Sequence, residues 1–234
     1  MPLFTILTLF PEAVESYLAV GVLGIAVRKG TIRVQAIDLR DFTRDRHRTT
    51  DDRPYGGGPG MVLRPEPIAE AVEWVEREHG PHRRLVMDPA GRPFQQGDAR
   101  ALAAEQRTLL LAGRYEGIDA RVLEQFEFEP VTLGDFVLAG GELPALCMLE
   151  AAARLIPGVL GDERSAVEDS FTEASTLDHP HYTRPRVFRG DGVPEVLMSG
   201  DHAAIECWRE DQARARARRW RPDLARREGE GGGA

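Results

Sequence analysis

A glycine-bearing stretch at residues 132–145 carries groups that could hold a small ligand. Gly134, Gly140 and Gly141 let the backbone approach another molecule closely, because glycine has no side chain and tolerates positive φ. Pro144 suits the first turn of a helix, where its missing N–H has no partner to lose. The pattern predicts a loop that ends at a helix start and offers free N–H groups to a ligand. A tight strand-to-helix turn without a ligand would explain the same residues.

Ionisable side chains of interest follow in the second half of the chain. Asp169 lies in a polar run and is, by composition, an ordinary solvated acid. His179 and His181 are one residue apart, but no cysteine lies near them and no zinc spacing is present, so we expect no metal site. Residues 209–227 hold eight Arg and three acids, which fits either a solvated helix end or a phosphate-contacting surface.

The elements that must position these residues alternate between strands and helices. Residues 3–9 and 32–37 predict strands, and residues 11–18 and 22–29 predict helices between them. Further helices are predicted at residues 66–78, 98–105 (with Asp98 as the N-cap), 118–125 and 143–156. Strand, helix and strand in this order are typical of a βαβ unit, so we predict an α/β fold with a parallel sheet.

Three later strands are each followed by a loop that contains Gly or Pro. The strands are predicted at residues 84–87, 108–112 and 126–131, and the loops at residues 88–92, 113–117 and 133–141. Ligands bind beyond the carboxyl ends of parallel strands, so we expect the three loops to share one pocket. Three unrelated turns would give the same sequence pattern.

Two other segments invite both a structural and a functional interpretation. Residues 38–60 predict a long charged loop, which is either solvated or functional, since structureless loops of this length are uncommon in compact domains. The predicted helix 143–156 is apolar almost all round apart from Glu150 and Arg154, so it must be buried on most faces. A second subunit would supply the missing cover.

Composition narrows the class of protein. The 234 residues contain no apolar run that approaches 18 residues, the first four residues lack the basic region of a signal peptide, and there are two cysteines. We therefore expect a cytoplasmic protein with reduced thiols and no membrane span. The net charge of −8 argues against nucleic-acid binding, but the basic far end leaves that question open because phosphate attraction is local.

Three segments of the chain, in the order in which they occur, resemble a known family. They are Gly113-Arg-Tyr-Glu-Gly-Ile-Asp119, residues 132–145 and Ser165-Ala-Val-Glu-Asp-Ser-Phe171. The run from His179 to Arg184 also matches the family. From Leu3 to Leu224 the chain resembles the bacterial tRNA (guanine-N1)-methyltransferase (TrmD) family of the SPOUT class. The resemblance implies a trefoil knot in the first domain and a homodimer whose active site lies at the subunit interface.

The resemblance also implies a domain plan and a set of binding residues. Residues 1–160 would bind S-adenosylmethionine, and residues 177–234 would be a small, mainly helical tRNA-binding domain. Independently of the resemblance, the polar composition of residues 161–176 predicts a flexible linker, which we expect to order when RNA binds, and the Gly-rich residues 228–234 predict a disordered tail. The implied cofactor contacts are Pro89, Gly113, Tyr115, Gly117, Leu133, Gly134, Asp135, Phe136, Val137, Leu138, Gly140, Gly141 and Pro144. The implied substrate contacts are Tyr55, Gly57, Gly58, His181, Arg184, Trp208 and Arg214. A divalent ion such as Mg²⁺ is compatible with the family, but no residue is assigned to it.

The implied reaction is methylation of N1 of the guanosine immediately 3′ of a tRNA anticodon. N1 carries a proton at neutral pH, and negative charge spreads to O6 as that proton leaves. In the positions of the family, Asp169 would be the general base and Arg154 the donor to O6. Two alternatives remain open: an RNA methyltransferase acting at another position, and a non-catalytic RNA-binding protein on the same fold. The presence of both side chains favours guanine N1, since a ribose hydroxyl needs no donor near O6.

Overall fold

The computed structural model describes residues 1–161, 169–171 and 177–224. The chain divides into two compact units, Met1–Glu163 and Arg164–Ala234. Most of the predicted linker lies outside the described residues, and so does the whole of the predicted tail at residues 228–234. The ordering expected of the linker therefore also concerns residues outside the described part. The functional roles predicted for the two domains stay predictions.

The first unit is built on a five-stranded parallel sheet with the order β2-β1-β6-β5-β7. The strands are β1 (Leu3–Thr8), β2 (Arg33–Asp38), β5 (Arg83–Pro93), β6 (Arg107–Leu111) and β7 (Glu129–Thr132). The predicted α/β class and parallel sheet are confirmed. The implied knot is not tested by this strand order and stays a prediction.

Alternating side chains place a hydrophobic core on each face of the sheet. Phe4 and Ile6 of β1 face one core, whereas Leu7 faces the other, because successive residues of a strand point to opposite faces. The first core is closed by α1 (Pro11–Leu18), α2 (Gly21–Arg28), α4 (Gln96–Ala104) and α6 (Glu142–Ala153). The second is closed by α3 (Pro65–His79) and α5 (Ala120–Gln125). The result is a three-layer arrangement with the sheet in the middle.

Strand β5 differs most from its prediction. It extends beyond residues 84–87 to Pro93, and its pairing with β7 is interrupted between Met87 and Arg92. The predicted loop at residues 88–92 is therefore an irregularity inside a strand, because Pro89 and Gly91 interrupt the pairing before it resumes. The start of β7 was also misplaced, since residues 126–128 precede the strand.

Two other local predictions were wrong. Asp98 is not the N-cap of α4: it is the third helical residue and accepts from the Gln95 N–H at 2.8 Å, while Gln95 is the N-cap of a capping box. Residues 38–60 are not structureless. They contain a 3-10 helix, Leu39–Phe42, and strand β3 (Asp51–Asp52), which pairs antiparallel with β4 (Val62–Leu63).

Helix α6 is buried along much of its length, as its apolar sequence predicts. Ala145, Met148, Leu149, Ala152 and Ala153 have no exposed surface and belong to the first core. The helix begins one residue before the predicted residue 143 and ends at Ala153, three residues before the predicted end. A part of its surface stays open within the first unit, since Leu143 is 63% exposed and Cys147 is exposed.

The second unit contains a short hairpin and a long helix among its described residues. Strands β8 (Val187–Phe188) and β9 (Asp191–Gly192) pair antiparallel, and a 3-10 helix follows at Glu195–Met198. Helix α7 (His202–Trp220) has Asp201 as its N-cap, as predicted, and the Asp201 carboxylate accepts from two backbone N–H groups of the first turn. In the part of the chain that the structure describes, no helix combines the length and the apolar character that a membrane crossing requires.

Candidate functional site

A pocket of about 410 Å³ lies in the first unit, beside the interruption in β5 and at the carboxyl ends of β6 and β7. The three loops predicted to share a pocket do so, which confirms that expectation. The volume lies within the range of small-ligand sites. The lining residues are Met87, Asp88, Pro89, Ala90, Gly113, Arg114, Tyr115, Glu116, Gly117, Ile118, Val131, Thr132, Leu133, Phe136, Val137, Leu138, Ala139, Gly140, Gly141 and Pro144.

The first wall is the interrupted part of β5. Asp88, Pro89 and Ala90 line the pocket, and the Asp88 carboxylate accepts from the Ala90 N–H at 2.7 Å, which fixes the turn. Gly91 lies against β7, and a Cβ at this position would come within 2.3 Å of the Val131 nitrogen. The wall therefore depends on a glycine at its closest approach to the neighbouring strand.

The second wall follows β6. Gly117 has a φ of 137°, which only glycine adopts readily, and Tyr115 has a φ of 60°. The Tyr115 side chain is 53% exposed at the pocket edge. The Gly117 carbonyl accepts from the Leu63 N–H at 2.9 Å, so this wall is also joined to β4.

The third wall follows β7 and leads into α6. Phe136, Val137 and Leu138 are 56%, 83% and 40% exposed, so the chain presents apolar side chains beside the pocket without covering them itself. Thr132 stabilises the start of the loop, since its hydroxyl accepts from the Gly134 N–H at 3.2 Å. The pocket combines backbone polar groups with apolar surface, which suits a small molecule with a flat apolar part and polar ends.

The second and third walls are held together by a network around the buried carboxylate of Glu142. Arg114 donates to Glu142 through Nε (3.3 Å) and lies 3.0 Å from it through Nη2, and it also donates to the Ala139 carbonyl at 3.3 Å. The Thr8 hydroxyl donates to the same carboxylate at 2.8 Å. The guanidinium of Arg114 lies 4.4 Å from the centre of the Phe10 ring. Sequence reasoning missed this network, although Arg114 lies inside the motif at residues 113–119.

Most of the predicted cofactor contacts lie together at this pocket. Gly134 and Asp135 are not among its lining residues, whereas the other eleven line it: Pro89, Gly113, Tyr115, Gly117, Leu133, Phe136, Val137, Leu138, Gly140, Gly141 and Pro144. Their role in binding a cofactor stays a prediction.

The predicted substrate contacts of the first unit lie on an exposed loop. Tyr55 is fully exposed, and Gly57 and Gly58 have φ values of 80° and 122°. None of the three lines the pocket. The loop returns beside the pocket all the same, because Met61 accepts from the Glu116 N–H at 3.0 Å.

The two predicted catalytic residues belong to different units. Arg154 ends α6, where a positive charge interacts favourably with the helix dipole. Asp169 is half-buried, and one of its carboxylate oxygens accepts from the Ser170 N–H at 2.8 Å. Their pairing in one reaction stays a prediction.

The predicted substrate contacts of the second unit lie on several elements. Trp208 is half-buried in α7, and its ring lies 6.1 Å from that of Tyr182. Arg184 is exposed, whereas Arg214 already lies 2.9 Å from Glu210 on its own helix. His181 is exposed and lies 2.7 Å from Asp178.

One group among the described residues has the composition of a metal site, although none was predicted. Ligand atoms of Asp178, His179 and His181 lie within 4.8 Å of one another. The close contact between His181 Nε2 and Asp178 Oδ2, at 2.7 Å, is a hydrogen bond that accounts for the pairing without an ion. Burial raises the pKa of Asp178, but hydrogen bonds from the His181 ring and from the His179 N–H outweigh it and hold the pKa below its ordinary value.

Comparisons with known proteins agree on one family. A family model described as tRNA (Guanine-1)-methyltransferase TrmD matches residues 3–227. A tRNA (guanine-N(1)-)-methyltransferase of Oleidesulfovibrio alaskensis is 51% identical over 223 residues, which are 95% of this chain and 52% of that protein. One of Nitratidesulfovibrio vulgaris is 51% identical over 220 residues, 94% of this chain and 51% of that protein. One of Anaeromyxobacter sp. is 51% identical over 223 residues, 95% of this chain and 90% of that protein. The chain thus spans about half the length of the first two relatives and most of the third.

Proposed function

The chain belongs to the tRNA (guanine-1)-methyltransferase TrmD family, and from this premise we propose that it transfers a methyl group from S-adenosylmethionine to N1 of the guanosine immediately 3′ of a tRNA anticodon. The observation that carries the proposal is the pocket, where the segments at residues 113–117 and 133–141, which belong to two of the family's motifs, meet the interrupted part of β5. S-adenosylmethionine suits this pocket of apolar side chains and backbone polar groups. Its adenine ring is flat and its amino acid end is polar.

The reaction is an in-line displacement at the methyl carbon. The bond from sulfur to the methyl group breaks as the bond from N1 to the methyl group forms, and the sulfur becomes a neutral thioether. The protein must therefore hold N1 and the methyl group in line. Holding the two reactants in this geometry lowers the activation barrier of the transfer.

We assign the proton of N1 to Asp169 and the charge at O6 to Arg154. The carboxylate removes the proton, typically a 10²–10⁴-fold effect, and becomes a carboxylic acid. The guanidinium donates to O6 while negative charge develops there, typically a ~10²–10³-fold effect. A divalent ion is left unassigned, because the one His- and Asp-bearing group among the described residues is explained by a hydrogen bond.

The partners follow from the same proposal. The arginines of α7 and its neighbourhood would contact tRNA phosphates, with His181, Arg184, Trp208 and Arg214 as the named contacts, and Tyr55, Gly57 and Gly58 would border the substrate from the first unit. A second copy of the chain would cover the open surface of α6 and complete the site as a homodimer. The knot, the location in the cytoplasm, and the cofactor roles of Gly134 and Asp135 belong to the same proposal.

Binding of S-adenosylmethionine tests the pocket, and isothermal titration calorimetry measures it. We expect Leu138→Arg to weaken binding about 100-fold or more, because a long cation would replace an apolar side chain that is already exposed at the pocket. Val187→Arg is the matched control, since Val187 is 57% exposed and lies in the second unit. Equal affinity of the wild type and Leu138→Arg would contradict the assignment of this pocket to the donor.

A further inference from the structure

We propose that Glu142 and Arg114 act as positioning residues that hold two walls of the pocket in the geometry that binds S-adenosylmethionine. The inference rests on the proposed function only for the identity of the ligand. Neither side chain would perform chemistry on the methyl group. Their effect would be to fix the backbone that contacts the donor.

Glu142 is a buried carboxylate, and a buried charge must be paired to be stable. Its side chain is 6% exposed, which is rare for a glutamate unless it is paired. It receives three interactions, from Thr8 Oγ1 at 2.8 Å, Arg114 Nε at 3.3 Å and Arg114 Nη2 at 3.0 Å. It also occupies the first turn of α6, where the helix dipole favours a negative charge. The carboxylate is therefore a fixed point at the start of the third wall.

Arg114 connects this fixed point to the second wall. Two of its nitrogens face the two carboxylate oxygens, and Nη1 donates to the Ala139 carbonyl at 3.3 Å. Such a two-pronged contact sets the direction of the side chain as well as its distance. The guanidinium also lies over the Phe10 ring, with its central carbon 4.4 Å from the ring centre, so the ring restrains it in addition to the carboxylate.

The backbone of the two walls is in contact at the same place. Gly141 donates to the Gly113 carbonyl at 2.8 Å, and Arg114 forms an antiparallel bridge with Gly140. A Cβ on Gly140 would come within 2.3 Å of Arg114 Nε and 2.6 Å of Glu142 Oε2. The ion pair thus occupies the space that a side chain at residue 140 would take, and its loss would release the contact between the walls.

The experiment compares Arg114→Ala, Glu142→Ala and the double variant with the wild type. Each is measured for thermal stability and for the affinity for S-adenosylmethionine. We expect either single variant to weaken binding about 10- to 100-fold, because small displacements of a binding wall have effects of this size. Arg114→Ala should also lower the melting temperature, since it leaves a buried carboxylate without its main partner.

The double variant separates positioning from simple stabilisation. Removing both charges avoids the unpaired buried carboxylate, so we expect stability to recover towards the wild type while affinity stays low. Recovery of affinity together with stability would overturn the proposal. Arg84→Ala is the control, because Arg84 makes a similar two-pronged contact with Glu76 away from the pocket. We expect it to lower stability with no change in affinity.

Hydrogen exchange in the ligand-free protein tests the positioning role without using S-adenosylmethionine, so its result does not depend on the proposed function. In Arg114→Ala and Glu142→Ala, the amides of residues 113–117 and 133–141 should exchange faster than in the wild type, whereas those of β2 should not. Unchanged exchange in both loops would overturn the inference even if the donor binds. A wild type that does not bind S-adenosylmethionine would overturn the proposed function and leave the exchange result to decide the positioning role.

Discussion

Gly141 lies where two pocket walls touch, and the absence of a side chain is what permits the contact. A Cβ there would come within 2.7 Å of the Ala112 Cα and 2.8 Å of the Gly113 nitrogen, both of which are backbone atoms that cannot move aside. The sequence indicated that glycine mattered in this stretch, because the residue type alone suggests a close approach. The Arg114–Glu142 pair could not be predicted in the same way, since 28 residues separate the two and they meet through the loops that follow β6 and β7, two strands that β5 separates in the sheet.

At the residue scale, we expect Gly141→Ala to destabilise the first unit by about 1–3 kcal/mol, because the added methyl group overlaps with the backbone. Chemical denaturation measures the change. Gly97→Ala is the matched control, since a Cβ at residue 97 would have nothing within 4 Å, and it should leave stability unchanged or raise it by up to about 1 kcal/mol. Equal effects of the two variants would contradict the close contact at Gly141.

At the scale of elements, the order of strands and helices was predictable and the irregular parts were not. A mostly apolar run located β1, Pro11 marked the start of α1, and the helical spacing of apolar residues located α3, each to within a few residues. The interruption in β5 was read as a loop, because Pro89 and Gly91 are typical of turns and the return of the chain to β7 depends on long-range pairing. The prediction that Asp98 is the N-cap of α4 was wrong because a capping box has polar residues at two positions. Here Gln95 is the N-cap and Asp98 is the third helical residue.

Helix α3 and strand β5 are joined by an ion pair that should make stability depend on pH. Burial raises the pKa of Glu76, but hydrogen bonds from Arg84 and from the His82 N–H outweigh it and hold the pKa below its ordinary value of 4.5. The unfolded chain then takes up the proton at a higher pH than the folded chain. The contribution of Glu76 is therefore present above pH 4.5 and is lost as the pH falls through the lower, folded-state pKa.

We expect Glu76→Gln to lower the free energy of unfolding by about 1–3 kcal/mol at neutral pH, which is typical of hydrogen bonds to a charged group. The difference from the wild type should shrink as the pH falls below 4.5. Denaturation curves at several pH values measure both effects. Glu73→Gln, at an exposed position of the same helix, should change little at any pH, and a constant difference between Glu76→Gln and the wild type would contradict the linkage.

The start of α7 depends on a single capping side chain. The Asp201 carboxylate accepts from the N–H groups of Ala203 and Ala204, both at 3.1 Å. We expect Asp201→Ala to destabilise the helix by about 0.5–2 kcal/mol. Hydrogen exchange of the first two turns measures this. Asp211→Ala removes only an exposed carboxylate that lies 3.5 Å from Arg214, so faster exchange of the first turn in this variant as well would argue against a specific cap.

At the scale of the whole molecule, the parallel sheet explains where the pocket must lie but not what completes the active site. The pocket belongs to the first unit, and Asp169 and most of the basic residues at the far end belong to the second. Sequence reasoning located the pocket because parallel strands bring their carboxyl ends to one edge. The expected domain roles and the expected pairing of Asp169 with Arg154 could come only from the family resemblance, since no local pattern links residues in different units. The apolar helix at residues 143–156 suggested a second subunit, but only the resemblance implied a site at the subunit interface.

Transfer of a labelled methyl group to tRNA transcripts tests the central claim most directly. One transcript carries guanosine immediately 3′ of the anticodon, and a second carries adenosine there. We predict transfer from S-adenosylmethionine to the first transcript only, with a loss of about 10²–10⁴-fold in the single-turnover rate in Asp169→Ala and unchanged donor affinity. Equal transfer to both transcripts would contradict the proposed target, and transfer by Asp169→Ala at the wild-type rate would contradict the proposed base.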